Sequence, residues 1–155
     1  MVASRAELAE LLERGRREGA FRRVVLANGC FDLLHVGHLD YLRSARAVGD
    51  LLVVAVNDDA SVRALKGEHR PIHPIAERME LLAALRPVDY VVSFPELTLK
   101  ETLIALRPDV HAKGSDYTPE TLPEREIDRE LGIEIAIVGG PKTTGSRELA
   151  TRLDP

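Results

Sequence analysis

Leu51-Leu52-Val53-Val54-Ala55-Val56 is the stretch that most constrains this chain, because it is six apolar residues with no polar face. A strand with one wet side alternates apolar and polar. A continuous run needs cover on both sides, as in a parallel sheet clad by helices. Similar short runs recur along the 155 residues. Arg22 to Ala27 ends in Asn28-Gly29, and Tyr90 to Phe94, Val110 to Lys113 and Ile133 to Val138 follow. They are separated by segments with helical spacing, and strands alternating with helices predict an open parallel sheet.

The helical segments carry their own signals. Ser4 with Glu7 has the pattern of a capping box, with Leu8, Leu11 and Leu12 on one face; Gly15 and Gly19 weaken this helix. Further helices are expected over His38 to Val48, Ala76 to Leu85, Leu97 to Leu106, Glu124 to Leu131 and Ser146 to Leu153. Thr98 with Glu101 reads as a second capping box, and Gly132 closes the helix before it. Lys66 to Pro74 reads as the longest loop and Ser115 to Pro123 as the next. The expected organisation is an N-terminal helix over residues 1–20 and one domain over 21–155. The fold class is α/β: a Rossmann-like open sheet of about five parallel strands with helices on both faces.

Composition narrows the partners. Lys and Arg total 21 against 25 Asp and Glu, a net charge of −4, which argues against a protein that coats nucleic acid. A lone cysteine, Cys30, cannot form an internal disulfide, so a reducing compartment is expected. No run approaches the about 18 apolar residues of a membrane span, and the N-terminus lacks a signal-peptide core. A cytoplasmic location is the expectation.

In such a sheet ligands bind at the carboxyl ends of the strands, near the point where strand order reverses. The exits to inspect are Asn28 to His38, Asn57 to Asp59, Lys113 to Tyr117 and Gly139 to Ser146. The first reads Asn28-Gly29-Cys30-Phe31-Asp32-Leu33-Leu34-His35-Val36-Gly37-His38. If His38 lies in the first helical turn, both imidazoles face the same space. A helix N-terminus attracts phosphate, and Gly37 lets a ligand approach the backbone. Imidazoles at this place can donate to phosphate oxygens as charge builds in a transition state. Zinc pairs on helices favour a wider spacing and a third ligand, which does not stand out here. Asp32 can orient a histidine or a water, or cap the following turn. Cys30 reads as a small apolar residue beside the site. His73 and His111 read as structural. Gly114 permits close approach to a ligand, and Asp116 can accept from hydroxyls.

The His35-Val36-Gly37-His38 segment resembles the HxGH signature of the nucleotidyltransferase superfamily that includes the cytidylyltransferases. Val56-Asn57-Asp58-Asp59, Leu65-Lys66-Gly67, Arg70-Pro71, Glu77-Arg78-Met79-Glu80-Leu81-Leu82 and Lys113-Gly114-Ser115-Asp116-Tyr117 extend it from about residue 24 to 153. Together they look most like the D-glycero-β-D-manno-heptose-1-phosphate adenylyltransferase branch. The resemblance implies that ATP lies across the strand ends, that a sugar phosphate attacks its α-phosphorus, and that pyrophosphate leaves. His35 and His38 would stabilise the charged phosphorus, with Lys66 and Arg78 on phosphates. Asn28, Gly29, Cys30, Phe31, Asp32, Gly37, Asn57, Lys113, Gly114, Asp116 and Tyr117 would line the nucleotide site. Mg²⁺ is expected through the nucleotide phosphates, without a protein cage.

The last exit departs from the superfamily pattern. Gly145 stands where a serine is usual, Ser146 keeps the second hydroxyl, and Thr143 or Thr144 can supply the other. Thr144, Gly145 and Ser146 complete the expected phosphate cradle. The resemblance also implies a homodimer and a separate sugar kinase in the pathway. Two other readings stay open: a CTP-dependent cytidylyltransferase acting on glycerol 3-phosphate or a similar small phosphate, and a non-catalytic nucleotide sensor. A nicotinamide domain does not fit, since the first strand exit lacks G-x-G-x-x-G.

Overall fold

The computed structural model describes residues 1–140. The chain runs α1 (Arg5–Glu18), β1 (Val24–Gly29), α2 (Val36–Ala47), β2 (Leu51–Asn57), α3 (Asp59–Lys66), α4 (Ile75–Ala83), β3 (Tyr90–Phe94), α5 (Lys100–Leu106), β4 (Val110–Gly114), α6 (Arg125–Leu131) and β5 (Glu134–Val138). All strand pairings are parallel, in the order β3-β2-β1-β4-β5. The chain winds outward from β1 to β3, then crosses to β4 on the other side. The sheet therefore has its switch point between β1 and β4.

Every residue of β2 is buried, as its unbroken apolar run requires. Alternate strand residues feed two cores. Val25, Ala27, Leu52, Val54 and Val56 pack with Leu42 and Ala45 of α2 and Met79 and Leu82 of α4. Val24, Leu26, Val53 and Ala55 pack with Leu8 and Leu12 of α1 and Leu103 and Leu106 of α5. Fully burying such a leucine is worth about 1.5–3 kcal/mol. The expected α/β class, five parallel strands and helices on both faces are what the chain adopts. None of the described helices is long and apolar enough to cross a bilayer.

The Ser4–Glu7 capping box forms reciprocally, with Ser4 N donating to Glu7 Oε2 at 2.9 Å and Glu7 N to Ser4 Oγ at 3.3 Å. Gly15 does not end α1. It lies inside the helix under the Phe21 ring, and Gly19 takes the left-handed closing position at φ 67°. Met1 to Ala3 continue the sheet beside β3, with Val91 N donating to Met1 O at 2.8 Å and Ala3 N to Val91 O at 3.1 Å.

Two expectations need correction. The pair Thr98 and Glu101 forms no capping box: α5 begins at Lys100 behind Leu99, with no side-chain cap. Leu99 is 1% exposed, so burial of its side chain fixes the entry to the helix. Lys66 is not a loop residue. It is the last residue of α3, a short helix capped by Asp58, whose Oδ1 accepts from Ser61 N at 2.7 Å. Eight residues give the periodic signal too little length to stand out. The expected helix over Ser146 to Leu153, with Thr144, Gly145 and Ser146, lies outside the described residues.

Candidate active site

The carboxyl ends of β1, β2 and β4 open into a cleft of about 920 Å³ beside the N-terminus of α2. Its wall takes Asn28, Gly29, Cys30 and Phe31 from the first exit, His35, Gly37 and His38 from α2 and its cap, and Asn57 and Lys66 from the second exit. Lys113, Gly114, Asp116 and Tyr117 join from the fourth. These residues are far apart in the chain, and the topology of the sheet brings them to one edge.

The histidines owe their geometry to a helix cap. His35 is the N-cap of α2, and its Nδ1 accepts the Gly37 N–H at 3.1 Å. That bond assigns the tautomer: a neutral His35 carries its proton on Nε2. His38 is the third residue of α2, and its ring stacks on His35 with centroids 3.9 Å apart and planes 29° apart. Phe31 supports the pair from beneath, its ring centroid 5.2 Å from that of His38. Phe31 holds a left-handed backbone (φ 47°) and is 3% exposed, so apolar burial keeps a strained turn in place. A Cβ on Gly29 would come within 3.2 Å of this ring.

Tyr41 is a support the sequence reading missed. It lies one turn beyond His38, donates its hydroxyl to Ala112 O at 2.7 Å and accepts from Asn28 N at 3.3 Å. It thereby ties α2 to β1 and β4 at the switch point. Burial raises its phenol well above the usual range. The i, i+3 spacing from His38 was the available signal.

Lys113 is 6% exposed and donates to Asn28 Oδ1 at 3.0 Å. Its ammonium sits 4.7 Å from the centre of the Tyr117 ring and 3.8 Å from Glu124 Oε2. Burial lowers its pKa, opposed by the charges of Glu124, Asp116 and Asp128. Burial likewise raises the Cys30 thiol, against the pull of Lys66, Arg78 and Lys113. Cys30 is thus on the wall, as its place in the sequence suggests, but as a poor nucleophile.

Asp32 and Arg78 are not on that wall. The Arg78 guanidinium is 0% exposed. It donates to Cys30 O at 2.6 Å, Asn57 O at 2.8 Å, His73 O at 2.9 Å and Asp59 Oδ1 at 2.7 Å. With its fork spent this way, it fastens the β1 and β2 exits to the starts of α3 and α4, and the expected phosphate contact is not its arrangement here. Asp32 accepts from Arg70 Nη1 at 2.6 Å, Ile72 N at 2.7 Å and His73 N at 3.2 Å. It anchors the segment between α3 and α4. Burial opposes its charge, but these three donors outweigh it and hold its carboxyl below the usual range.

The cleft is not uniformly basic. Arg43, Lys66 and Lys113 face it, but so do Asp40, Asp116 and Glu124. Asp40 accepts from Gly140 N at 2.8 Å, and Glu124 is engaged by Lys113 and by Leu99 N. What favours an anion is local: the N-terminus of a twelve-residue helix with two imidazoles over it. No three His, Cys, Asp or Glu side chains among the described residues converge as a metal cage.

A doubly wound parallel sheet with a helix-capped, histidine-bearing cleft at its switch point defines an α/β protein built to hold an anionic ligand such as a nucleotide. The chain belongs to the cytidylyltransferase-like family, whose model matches residues 26–143. It is 49% identical over 146 residues to the bifunctional protein HldE of Pelobacter propionicus, covering 92% of this chain and 30% of that protein. It is 50% identical over 146 residues to the HldE of Syntrophotalea carbinolica, covering 92% and 29%. The chain thus spans about 30% of the length of these curated relatives. Among solved structures it is similar to the lipopolysaccharide core biosynthesis protein of Thermoplasma volcanium. The TM-score is 0.66 at 30% identity, over 77% of this chain and 98% of that one.

Proposed function

We propose that this protein is a nucleotidyltransferase that moves AMP from ATP to a heptose 1-phosphate, giving ADP-heptose and pyrophosphate. The observation that carries the reading is the stacked His35–His38 pair at the N-terminus of α2, facing the same cleft as Lys113. An oxygen of the sugar phosphate attacks the α-phosphorus of ATP, and the bond to the pyrophosphate oxygen breaks. No group of the protein becomes covalently attached.

The two imidazoles donate to the phosphoryl oxygens as charge builds, each on a scale of about 3–4 kcal/mol. The positive end of the α2 dipole favours phosphate there, and Gly37 puts no side chain in the way. Lys66, at the end of α3, is a point charge that reaches the triphosphate or the sugar phosphate. Lys113 offers a second cation, and Asp116 accepts from ribose or sugar hydroxyls. Asn28, Gly29, Cys30, Phe31, Asn57, Gly114 and Tyr117 complete the nucleotide wall, with Thr144, Gly145 and Ser146 as the remaining phosphate cradle. The rest of the catalysis is alignment of two anions that otherwise repel. Mg²⁺ would be held by the substrate's own phosphates, and the chemistry it would supply is neutralisation of the triphosphate charge.

Support for the acceptor comes from the segments Leu65-Lys66-Gly67 and Lys113-Gly114-Ser115-Asp116-Tyr117. It comes also from the likeness to HldE proteins and to a lipopolysaccharide core biosynthesis protein. A sugar 1-phosphate must itself be supplied by a phosphoryl-transfer reaction, which fits relatives described as bifunctional. The test is pyrophosphate release with ATP or CTP against heptose 1-phosphates and glycerol 3-phosphate. Turnover is expected with ATP and a heptose 1-phosphate. Preference for CTP and glycerol 3-phosphate overturns the substrate assignment, and tight ATP binding without release on any acceptor points to a sensor.

A further inference from the structure

Behind the cleft wall lies a buried polar row that none of these roles uses. Asp128 of α6 and His111 of β4 are both 0% exposed. His111 Nδ1 is 2.8 Å from Asp128 Oδ2, and His111 Nε2 is 3.3 Å from Asn28 Oδ1. Lys113 Nζ donates to the same Asn28 oxygen at 3.0 Å. His111 and Lys113 are two apart on β4 and so share a face of the sheet, and β4 pairs with β1 at the switch point. Asn28 and Lys113 line the cleft, whereas His111 and Asp128 do not.

A carboxylate and an imidazole taken wholly out of water cost desolvation that apolar packing would avoid. The hydrogen-bond inventory shows what this pair accomplishes. An ammonium only donates, so the Asn28 atom it meets is the amide oxygen. That leaves both ring nitrogens of His111 facing acceptors, a carboxylate on one side and the amide oxygen on the other. With Nε2 donating to that oxygen, the Asn28 amide cannot turn over.

We infer that the Asp128–His111 pair is a positioning device that locks the Asn28 amide oxygen inward, so that its NH₂ and the Lys113 ammonium are presented as fixed donors to an anionic ligand in the cleft. Pre-setting donors in this way spares the reorganisation that a mobile amide and a loose lysine would need on binding. The inference rests on reading the cleft as a nucleotide site, and the experiment separates the two.

In ¹⁵N-labelled full chain without ligand at neutral pH, NMR should find a proton on His111 Nε2. It should also find an Asn28 NH₂ pair that shifts on adding ATP. A bare Nε2 would have to accept from the amide, which reverses the orientation and overturns the inference. ATP affinity by calorimetry supplies a mutant cycle. The pair His111→Leu with Asp128→Leu leaves no charge buried alone and is expected to fold. It should weaken ATP roughly tenfold, the scale of one hydrogen bond to a charged group. Asn28→Ala should cost as much in the wild-type protein and little more in the leucine pair. Additive losses, or unchanged affinity in the folded leucine pair, overturn it. If the wild-type chain binds no ATP, the nucleotide reading falls. The Nε2 proton of the free protein still decides this inference then, as it does should the leucine pair not fold.

Discussion

His35 and His38 hold stacked imidazoles 3.9 Å apart because one caps α2 and the other is its third residue. The spacing is therefore a property of a helix start. The cap bond from Gly37 N to His35 Nδ1 fixes which nitrogen of His35 faces outward. His38 rests on Phe31, which leaves it placed for chemistry without a cap to make.

His38→Ala is expected to lower turnover by about a hundredfold or more, the effect of losing one oxyanion donor. The helix keeps its cap, so circular dichroism and melting should change little. Steady-state pyrophosphate release checks this, and a folded variant with most of its activity removes His38 from the proposed role.

Arg78 acts through structure. Arg78→Met strands Asp59 and three carbonyl oxygens, and should cost about 3–5 kcal/mol, as for a broken buried pair. Arg78→Lys should recover little, because an ammonium cannot fork across four partners on four segments. Urea unfolding measures both. Normal stability with a raised KM for ATP would return Arg78 to the phosphates.

Asp32 gives the protein a defined response to acid. Its pKa is lowered in the folded chain because the Arg70, His73 and Ile72 donors outweigh the effect of burial. A depressed carboxylate stabilises the fold above its unfolded value of about 3.9, and that contribution is lost as pH falls through the folded value. Asp32→Asn should cost about 1–3 kcal/mol at neutral pH. It should also flatten the fall in stability below about pH 4. Equal slopes for the two proteins in urea titrations from neutral to acid pH would contradict this.

Gly15 tests packing against propensity. Alanine gains about 1 kcal/mol over glycine in a helix interior. Here its Cβ would overlap the Phe21 ring. Overpacking typically costs about 1–3 kcal/mol, so Gly15→Ala should leave the protein less stable or, at best, unchanged. A clear rise in melting temperature would show that Phe21 swings aside freely.

Local chemistry was legible where short-range physics decides. The unbroken run Leu51 to Val56, the capping box of Ser4 and Glu7, and the left-handed close at Gly132 are all visible in adjacent residues. So was the joint facing of His35 and His38, because it depends on one helical turn. Thr98 and Glu101 misled for the opposite reason: burial of Leu99 overrode a cap pattern that sequence alone favours.

The sequence by itself determined the alternation of strands and helices, and the histidine pair at a strand exit. The physical reason is that caps, turns and apolar periodicity act over a few residues. Only the tertiary structure decided that Lys113 meets Asn28 across 85 positions. It also turned Arg78 inward as a clasp, and made His111 and Asp128 a buried pair. Those partners are set by strand order and by which face each residue occupies, and no local spacing encodes either.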